Sequence, residues 1–422
     1  MQKNINKTIL ILAVLSVMIR IFLFNAMGPE QHYQHDTPSY FAPAQSLIEN
    51  FTFVGSEGPQ DIFRTPGYPA FIAILQFLTG SVYSVIMAQN LLGLLMAYMA
   101  WRYFRQDNET AGNIAFGLVA FNFLLMFFAN TFLTEVPASF LTLCTFFLLL
   151  KGSKDKEKAL KYAVAAAIMA GITAIVRPIA IYLCLPSIIF ILLCYPTWKN
   201  KLVLSVVFVA VFSIIPISWS AQNYQRTGQF AFSSIEKNFF LSYMATEVLS
   251  AEEGRSHLDM SIPAETYAKL TAEAEKRFIE QNGPDQKSLS EVKRSLALET
   301  MANYPMTTTI CFLRNTVLTF LGNGTTLMAK LSGLPTTVTA GIGFIYTIPA
   351  LILALTGLVC AWRKDPGFAV LAFLFTGYFV GTTSLVGNFG PRFRMPVEPV
   401  LCILISYSLC AIFKKKHKNR LT

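Results

Sequence analysis

Residues 8–27 read TILILAVLSVMIRIFLFNAM, a run with one charge, Arg20, and no break before Gly28-Pro29. Such a run matches the hydrocarbon core of a bilayer, which about 20 apolar helical residues cross. Lys3 and Lys7 precede it, and Asn25-Ala26-Met27-Gly28-Pro29 closes it. The closing residues lack a small-x-small cleavage pattern, so the segment is expected to be retained as a signal anchor.

Nine further runs of the same kind follow, near 82–101, 111–130, 136–150, 160–176, 179–195, 202–222, 341–361, 367–387 and 396–413. The composition agrees: 54% of the 422 residues are hydrophobic and 14% are charged, against about 25% charged in soluble domains. This excludes an ordinary cytosolic enzyme, a disordered chain and a nucleic-acid-binding domain. The expected fold is an all-α polytopic membrane protein of about ten transmembrane helices, with interfacial helices and a small helical cap.

The net charge of +10 reads as topology. Positive residues near spans collect on the cytoplasmic side. Lys3 and Lys7, Arg102 and Arg105, the Lys151–Lys161 cluster, Lys199 and Lys201, Arg363-Lys364 and the tail from Lys414 to Arg420 fall on every second connection. Ten spans with both termini inside satisfy that pattern. A lone crossing at 306–321 would put Arg363-Lys364 outside, so an interfacial helix carrying Arg314 is expected there. A twelve-span chain, with 306–321 and 322–340 both crossing, is the alternative.

Three parts follow: an N-terminal membrane module (1–222) with a first outer loop (28–81), an outer cap with the interfacial helix (223–340), and a C-terminal membrane module (341–422) with a basic tail. The cap holds the extended hydrophilic stretch, with twelve of the chain's 24 acids in 236–299. Ser261-Ile262-Pro263 reads as a helix start. Helices are expected over 264–281 and 286–303, separated by Asn282-Gly283-Pro284. The seven cysteines lie almost wholly inside spans and show neither disulfide nor zinc spacing.

Under this topology, charged residues converge on the outer ends of the spans. They are His35-Asp36 after span 1, Arg64 in Arg64-Thr65-Pro66-Gly67-Tyr68-Pro69, Glu135 between spans 3 and 4, Arg177 between spans 5 and 6, and Arg392 and Arg394 before the last span. Charge beside hydrocarbon is costly and marks function by default. Arginine binds phosphate through two parallel bonds, and a carboxylate can take a proton from an attacking hydroxyl. Together they suit a site handling a phosphate leaving group and a hydroxyl nucleophile. Plainer roles exist for each. Asp36, before Thr37-Pro38, would serve as a helix cap, Arg64 as an interfacial anchor beside Tyr68, and Glu135 as a bundle-sealing ion pair. Arg20 would snorkel or pair with an outer acid. His32 and His35 with Asp36 or Glu135 would make a sparse metal set, so no metal ligand is assigned, although a divalent metal stays open.

In this order, the Asp36-Thr37-Pro38-Ser39-Tyr40 segment, the Arg-x-Pro-Gly-Tyr-Pro turn at 64–69, Thr134-Glu135 and Arg392-Phe393-Arg394-Met395-Pro396 resemble the GT-C superfamily of membrane glycosyltransferases. The closest resemblance is to its bacterial protein mannosyltransferase-like and aminoarabinose-transferase-like branch. The resemblance implies a GT-C-like bundle that takes one sugar from a polyprenyl-phosphate carrier, such as undecaprenyl phosphate, at the outer face of the bacterial inner membrane. It implies Asp36 as the catalytic acid of the first loop and Glu135 as the second acid. Arg64, Arg177, Arg392 and Arg394 match the donor-phosphate positions, with His35, Tyr40 and Tyr68 as substrate contacts. The implied reaction is an inverting single displacement onto a lipid, glycan or protein hydroxyl.

Two departures bear on the acceptor. His35-Asp36 stands where protein mannosyltransferases often carry an Asp-Glu pair, and the outer loop has no β-trefoil insert. Protein O-mannosylation is therefore disfavoured. A transporter or flippase of lipid-linked sugar would instead show internal repeats and charge near the midplane. A lipid-linked glycan polymerase or ligase is the other alternative.

Overall fold

The computed structural model describes residues 7–105, 108–195, 198–235, 240–256, 263–281, 288–322, 324–325, 328–329, 333–387 and 390–418. Among these residues regular structure is helical, apart from one isolated bridge between Gly55 and Gly58. Ser261-Ile262 and Asn282-Gly283-Pro284 lie outside the described residues.

In chain order the helices are α1 (Lys7–His32), α2 (Thr37–Asn50), α3 (Gly67–Thr79), α4 (Tyr83–Phe104), α5 (Glu109–Ala120), α6 (Phe123–Ala129), α7 (Glu135–Lys154), α8 (Ala159–Val176), α9 (Cys184–Cys194) and α10 (Trp198–Thr227). The cap comprises α11 (Thr246–Glu252), α12 (Ala264–Ile279), α13 (Leu289–Asn303) and α14 (Pro305–Leu321). The chain ends with α15 (Thr336–Lys364), α16 (Pro366–Leu385) and α17 (Glu398–Lys418).

All ten apolar runs are helical, but they are not equivalent. Among the described residues, eight helices are long and apolar enough to cross a membrane, or nine if α5 and α6 form one span bent by 48°. The expected span at 179–195 is shorter. It starts as a 3-10 turn over Pro178–Tyr182, and α9 makes up the second half of the apolar segment Pro178–Cys194. Pro178 supplies no amide N–H and fixes φ, which suits the entry to this turn.

The bend at Phe121-Asn122 explains the buried charge of Arg20 within α1. Asn122 starts α6 by accepting from the Leu125 amide at 3.0 Å, which leaves carbonyls at the end of α5 unpaired within the helix. Arg20 reaches them: its Nη2 donates to the Ala120 carbonyl at 3.3 Å, its Nη1 to Asn90 Oδ1 at 3.0 Å and its Nε to Ser16 Oγ at 3.3 Å. A cation at a helix C-terminus meets the negative end of the helix dipole. Arg20 therefore neither snorkels nor meets an outer acid through these contacts.

At one end of the bundle, Tyr103 donates to Asp365 at 2.7 Å and lies 2.7 Å from the Tyr407 hydroxyl, while Lys154 pairs with Asp365. These contacts gather the C-terminal ends of α4 and α7, the start of α16 and the later part of α17. They are the ends to which the basic connections attach. Phe146, Phe368 and Phe375 pack just inside, with ring centroids 5.1 and 5.7 Å from Phe146.

The cap has its own small core. Leu270 and Ala274 of α12 and Val292, Leu296 and Ala297 of α13 bury against Phe240, Leu241 and Ala245 of a π-helical turn, Phe240–Ala245. Ser288 and Glu291 form a capping box that starts α13. The helix expected over 306–321 is present as α14. Its Arg314 pairs with Glu247 of α11 at 2.7 Å.

Candidate active site

The opposite ends of the same helices carry the candidate residues. Asp36 precedes α2, Glu135 is the first residue of α7, Arg177 follows α8, and Arg392 lies in a one-turn helix, Pro391–Arg394, before α17. Arg64 enters from the turn before α3. Gly67 permits that approach, because a Cβ there would lie 2.5 Å from the Ile175 carbonyl oxygen. The close contact holds the Arg64 turn against the end of α8, two residues before Arg177.

Five of the expected residues join in one alternating chain. Arg64 Nη2 is 2.9 Å from Asp36 Oδ1, and Arg392 Nη2 is 2.6 Å from Asp36 Oδ2. Arg392 Nε also binds Glu135 Oε1, and Arg177 Nη1 lies 2.9 Å from that same oxygen. Three guanidiniums face two carboxylates, so the chain Arg64–Asp36–Arg392–Glu135–Arg177 carries a formal excess of one positive charge.

Neutral groups fix the outer members. Arg64 donates to Ser39 Oγ at 2.8 Å and to Tyr40 Oη at 2.9 Å, with its guanidinium 4.3 Å from the Tyr40 ring centroid. Tyr40 meets Tyr68 edge-on at 5.0 Å, and Tyr68 donates to Gln89 Oε1 at 2.9 Å. Gln89 in turn donates to the Thr131 carbonyl at 2.8 Å. Arg177 donates to Thr134 Oγ1 at 2.9 Å. Ser39 and Tyr40 thus hold Arg64 directly, Gln89 and Tyr68 brace Tyr40 from behind, and Thr134 holds Arg177. Sequence reasoning passed over Ser39, Gln89 and Thr134; a buried amide such as Gln89 within an apolar helix was the available signal.

Exposure shows where a ligand can enter. Glu135 is fully enclosed and Arg64 nearly so, whereas the side chains of Asp36 and Arg392 are 25% and 30% exposed. The open face is therefore the Asp36–Arg392 pair. Glu135 Oε2 is buried and has no hydrogen-bond partner among the described residues. Burial raises the Asp36 pKa, but the guanidiniums of Arg392 and Arg64 outweigh it and hold the carboxyl below its ordinary value. Burial pushes the Tyr40 phenol up despite Arg64, so it stays neutral.

One expected residue is placed apart. Arg394 does not join the chain, because Glu398 Oε2 binds its Nε at 2.8 Å and the Thr319 and Phe320 carbonyls accept from its Nη1. His35 is exposed beside Asp36. His32 is buried and used, with Nδ1 2.6 Å from the Asn130 carbonyl and its ring stacked on Phe24 at 4.8 Å. No group of three His, Cys, Asp or Glu among the described residues is placed to hold a metal ion. The carboxylates that a divalent cation would need face guanidiniums instead, so these residues do not fit one.

The described residues thus form a helical bundle with a bent helix pair, a small helical cap and a charged site at one end of its long helices. Residues 63–219 match the family model described as dolichyl-phosphate-mannose-protein mannosyltransferase; that stretch contains Arg64, Glu135 and Arg177. No curated protein matches the chain. Among solved structures, the chain is similar to the oligosaccharyltransferase of Archaeoglobus fulgidus in its apo form, with a TM-score of 0.56 and 15% identity, over 98% of this chain and 51% of that one. The same organism's oligosaccharyltransferase AglB, in complex with an inhibitory peptide and a dolichol-phosphate, gives a TM-score of 0.55 at 15% identity and the same coverage. This likeness shows the fold, and the chain spans about half the length of that protein. ArnT from Cupriavidus metallidurans, in the apo state, overlays with a TM-score of 0.41 at 15% identity over 94% of this chain and 76% of that one, which is too low to carry weight.

Proposed function

We propose that this integral membrane protein is a glycosyltransferase that moves one sugar from a polyprenyl-phosphate donor to an acceptor hydroxyl at the outer face of a bacterial inner membrane. The observation that carries the proposal is the charge chain from Arg64 to Arg177, gathered at the end of the bundle opposite the basic connections. With both termini and those connections cytoplasmic, the site faces outward. The division into modules at 1–222, 223–340 and 341–422 goes with this reading, with the cap and first loop roofing the site. The dolichol-phosphate in the AglB complex supports a lipid-phosphate donor for the shared fold.

Asp36 takes the proton of the acceptor hydroxyl. The hydroxyl oxygen bonds to the anomeric carbon as the bond from that carbon to the phosphate oxygen breaks. The polyprenyl phosphate leaves with the bonding electron pair. Charge growing on its oxygens is met by Arg392 at the open face, with Arg64 and Arg177 behind it; such preorganised charge is usually the largest catalytic contribution. The excess positive charge lets the phosphate add to the chain without expelling a carboxylate. Glu135, fully enclosed, orients Arg392 and Arg177 through Oε1. The transition state is oxocarbenium-like, as in glycosyl transfer generally, and displacement from one side gives inversion. His35 lies at the entrance, where it contacts acceptor.

A transporter needs charge in mid-membrane. The deep charge here, Arg20, is committed to the end of α5. The test is a proteoliposome assay with labelled polyprenyl-phosphate monosaccharides. Label appearing on an added acceptor supports the transferase. Intact donor that merely changes leaflet contradicts it.

A further inference from the structure

Arg394 lies two residues from Arg392 but bonds elsewhere, and where it bonds is informative. It is 5% exposed. Its Nε pairs with Glu398 at 2.8 Å, and Glu398 Oε1 also accepts from Asn122 Nδ2 at 3.0 Å, at the bend between α5 and α6. Its Nη1 donates to the Thr319 carbonyl at 3.0 Å and to that of Phe320. These are orphan carbonyls in the last turn of α14, the place a helix best accepts a cation.

The end of α14 is also pressed directly against the Arg392 turn. A Cβ on Gly322 would stand 2.6 Å from Pro391 Cδ, so no larger residue fits while the two segments keep this approach. From the other side Ser139 of α7, one turn beyond Glu135, donates to the Met395 carbonyl at 2.7 Å. The segment presenting Arg392 is therefore clamped between α7 and the end of α14.

Earlier in α14, the helix is tied to the cap. Arg314 Nη2 lies 2.7 Å from Glu247 Oε1, and Asn315 Nδ2 donates to Glu247 Oε2 at 3.1 Å. Glu247 belongs to α11, and Glu253, just beyond that helix, accepts from Thr266 of α12 at 3.1 Å. A continuous set of polar contacts thus runs from α12 through α11 and α14 to Arg394.

We propose that Arg394 is a positioning residue through which the seating of the outer cap, transmitted along α14, sets the geometry of Arg392. It touches neither donor nor acceptor. The use made of this coupling rests on the glycosyltransferase reading, since a cap that closes over acceptor would then tighten the arginine that receives the phosphate. The coupling itself is a property of the fold.

The experiment has two readouts on purified full-length protein. The first is backbone hydrogen exchange over 390–398, with no ligand present. The second is affinity for undecaprenyl phosphate in detergent micelles. Arg314→Gln, placed in α14 well before its end, is expected to raise exchange over 390–398 and to weaken lipid-phosphate binding by roughly tenfold, the scale of an ordinary coupling between sites. Arg394→Gln is expected to do the same, and Arg394→Lys to restore much of the affinity. The double variant Arg314→Gln/Arg394→Gln should lose no more than Arg394→Gln alone, since both changes break one path. Unchanged exchange over 390–398 in Arg314→Gln overturns the proposal, as does a double variant whose losses multiply. If Arg394→Gln does not fold, Arg314→Gln and Arg394→Lys decide the matter. If the wild type binds no undecaprenyl phosphate, the donor reading fails, and the exchange measurement still decides the coupling.

Discussion

Arg392 lies 2.6 Å from Asp36 and bridges it to the buried Glu135, so the open carboxylate and the enclosed one are held by a single guanidinium. Arg392→Gln should abolish transfer and also destabilise the protein. Removing one partner from a buried ion network costs about 3–5 kcal/mol, which thermal unfolding in detergent would register. Activity lost with unchanged unfolding temperature would mean that Glu135 does not depend on Arg392.

Asp36→Asn separates chemistry from binding. Loss of the base should lower turnover by about 10²–10⁴-fold. Affinity for polyprenyl phosphate should hold or rise, because Arg64 and Arg392 lose a competing carboxylate. Titration calorimetry or fluorescence with the lipid phosphate checks this. Weaker binding in Asp36→Asn would contradict the assignment of those arginines.

The depressed pKa of Asp36 sets a sign for pH dependence. Its folded-state value lies below the unfolded one, so the ionised carboxylate stabilises the fold at neutral pH, and that contribution is lost as the pH falls through the folded value. The free enzyme should hold Asp36 ionised down to the ordinary value of 3.8 and below. A kcat/KM profile should therefore show no acid limb from this residue between pH 5 and 7, where a carboxylate raised by burial would titrate. An acid limb in that range, abolished by Asp36→Asn, would contradict the pairing.

Arg20→Gln should lower stability without changing the KM for donor, since Arg20 closes the end of α5 and has no contact with the site chain. Losing a charged donor to a buried carbonyl costs about 1–3 kcal/mol. The comparison is unfolding temperature against KM in the same preparation.

Much of this was legible in the sequence. Apolar runs are read directly because a bilayer demands length and uniformity, and all ten proved helical. The convergence of Asp36, Arg64, Glu135, Arg177 and Arg392 was legible because alternating topology brings every second span end to one face. Span count was less so: the Pro178–Cys194 segment has the composition of a crossing but begins as a tight 3-10 turn. The choice between Arg392 and Arg394 was not legible. Both sit in one short turn, and only the approach of α14, more than 70 residues earlier in the chain, shows that Arg394 has carbonyls to bind. Arg20 was misread for the same reason, since its partner carbonyl appears only once the chain bends at Asn122.

The central claim is that Asp36 and its arginines move a sugar from a lipid phosphate. Sugar transfer from defined polyprenyl-phosphate monosaccharides in proteoliposomes, comparing wild type with Asp36→Asn at equal expression, tests it most directly. The account predicts donor-dependent transfer in the wild type that collapses in the variant while lipid-phosphate binding persists. Transfer that survives Asp36→Asn, or donor that crosses the bilayer unconsumed, would contradict it.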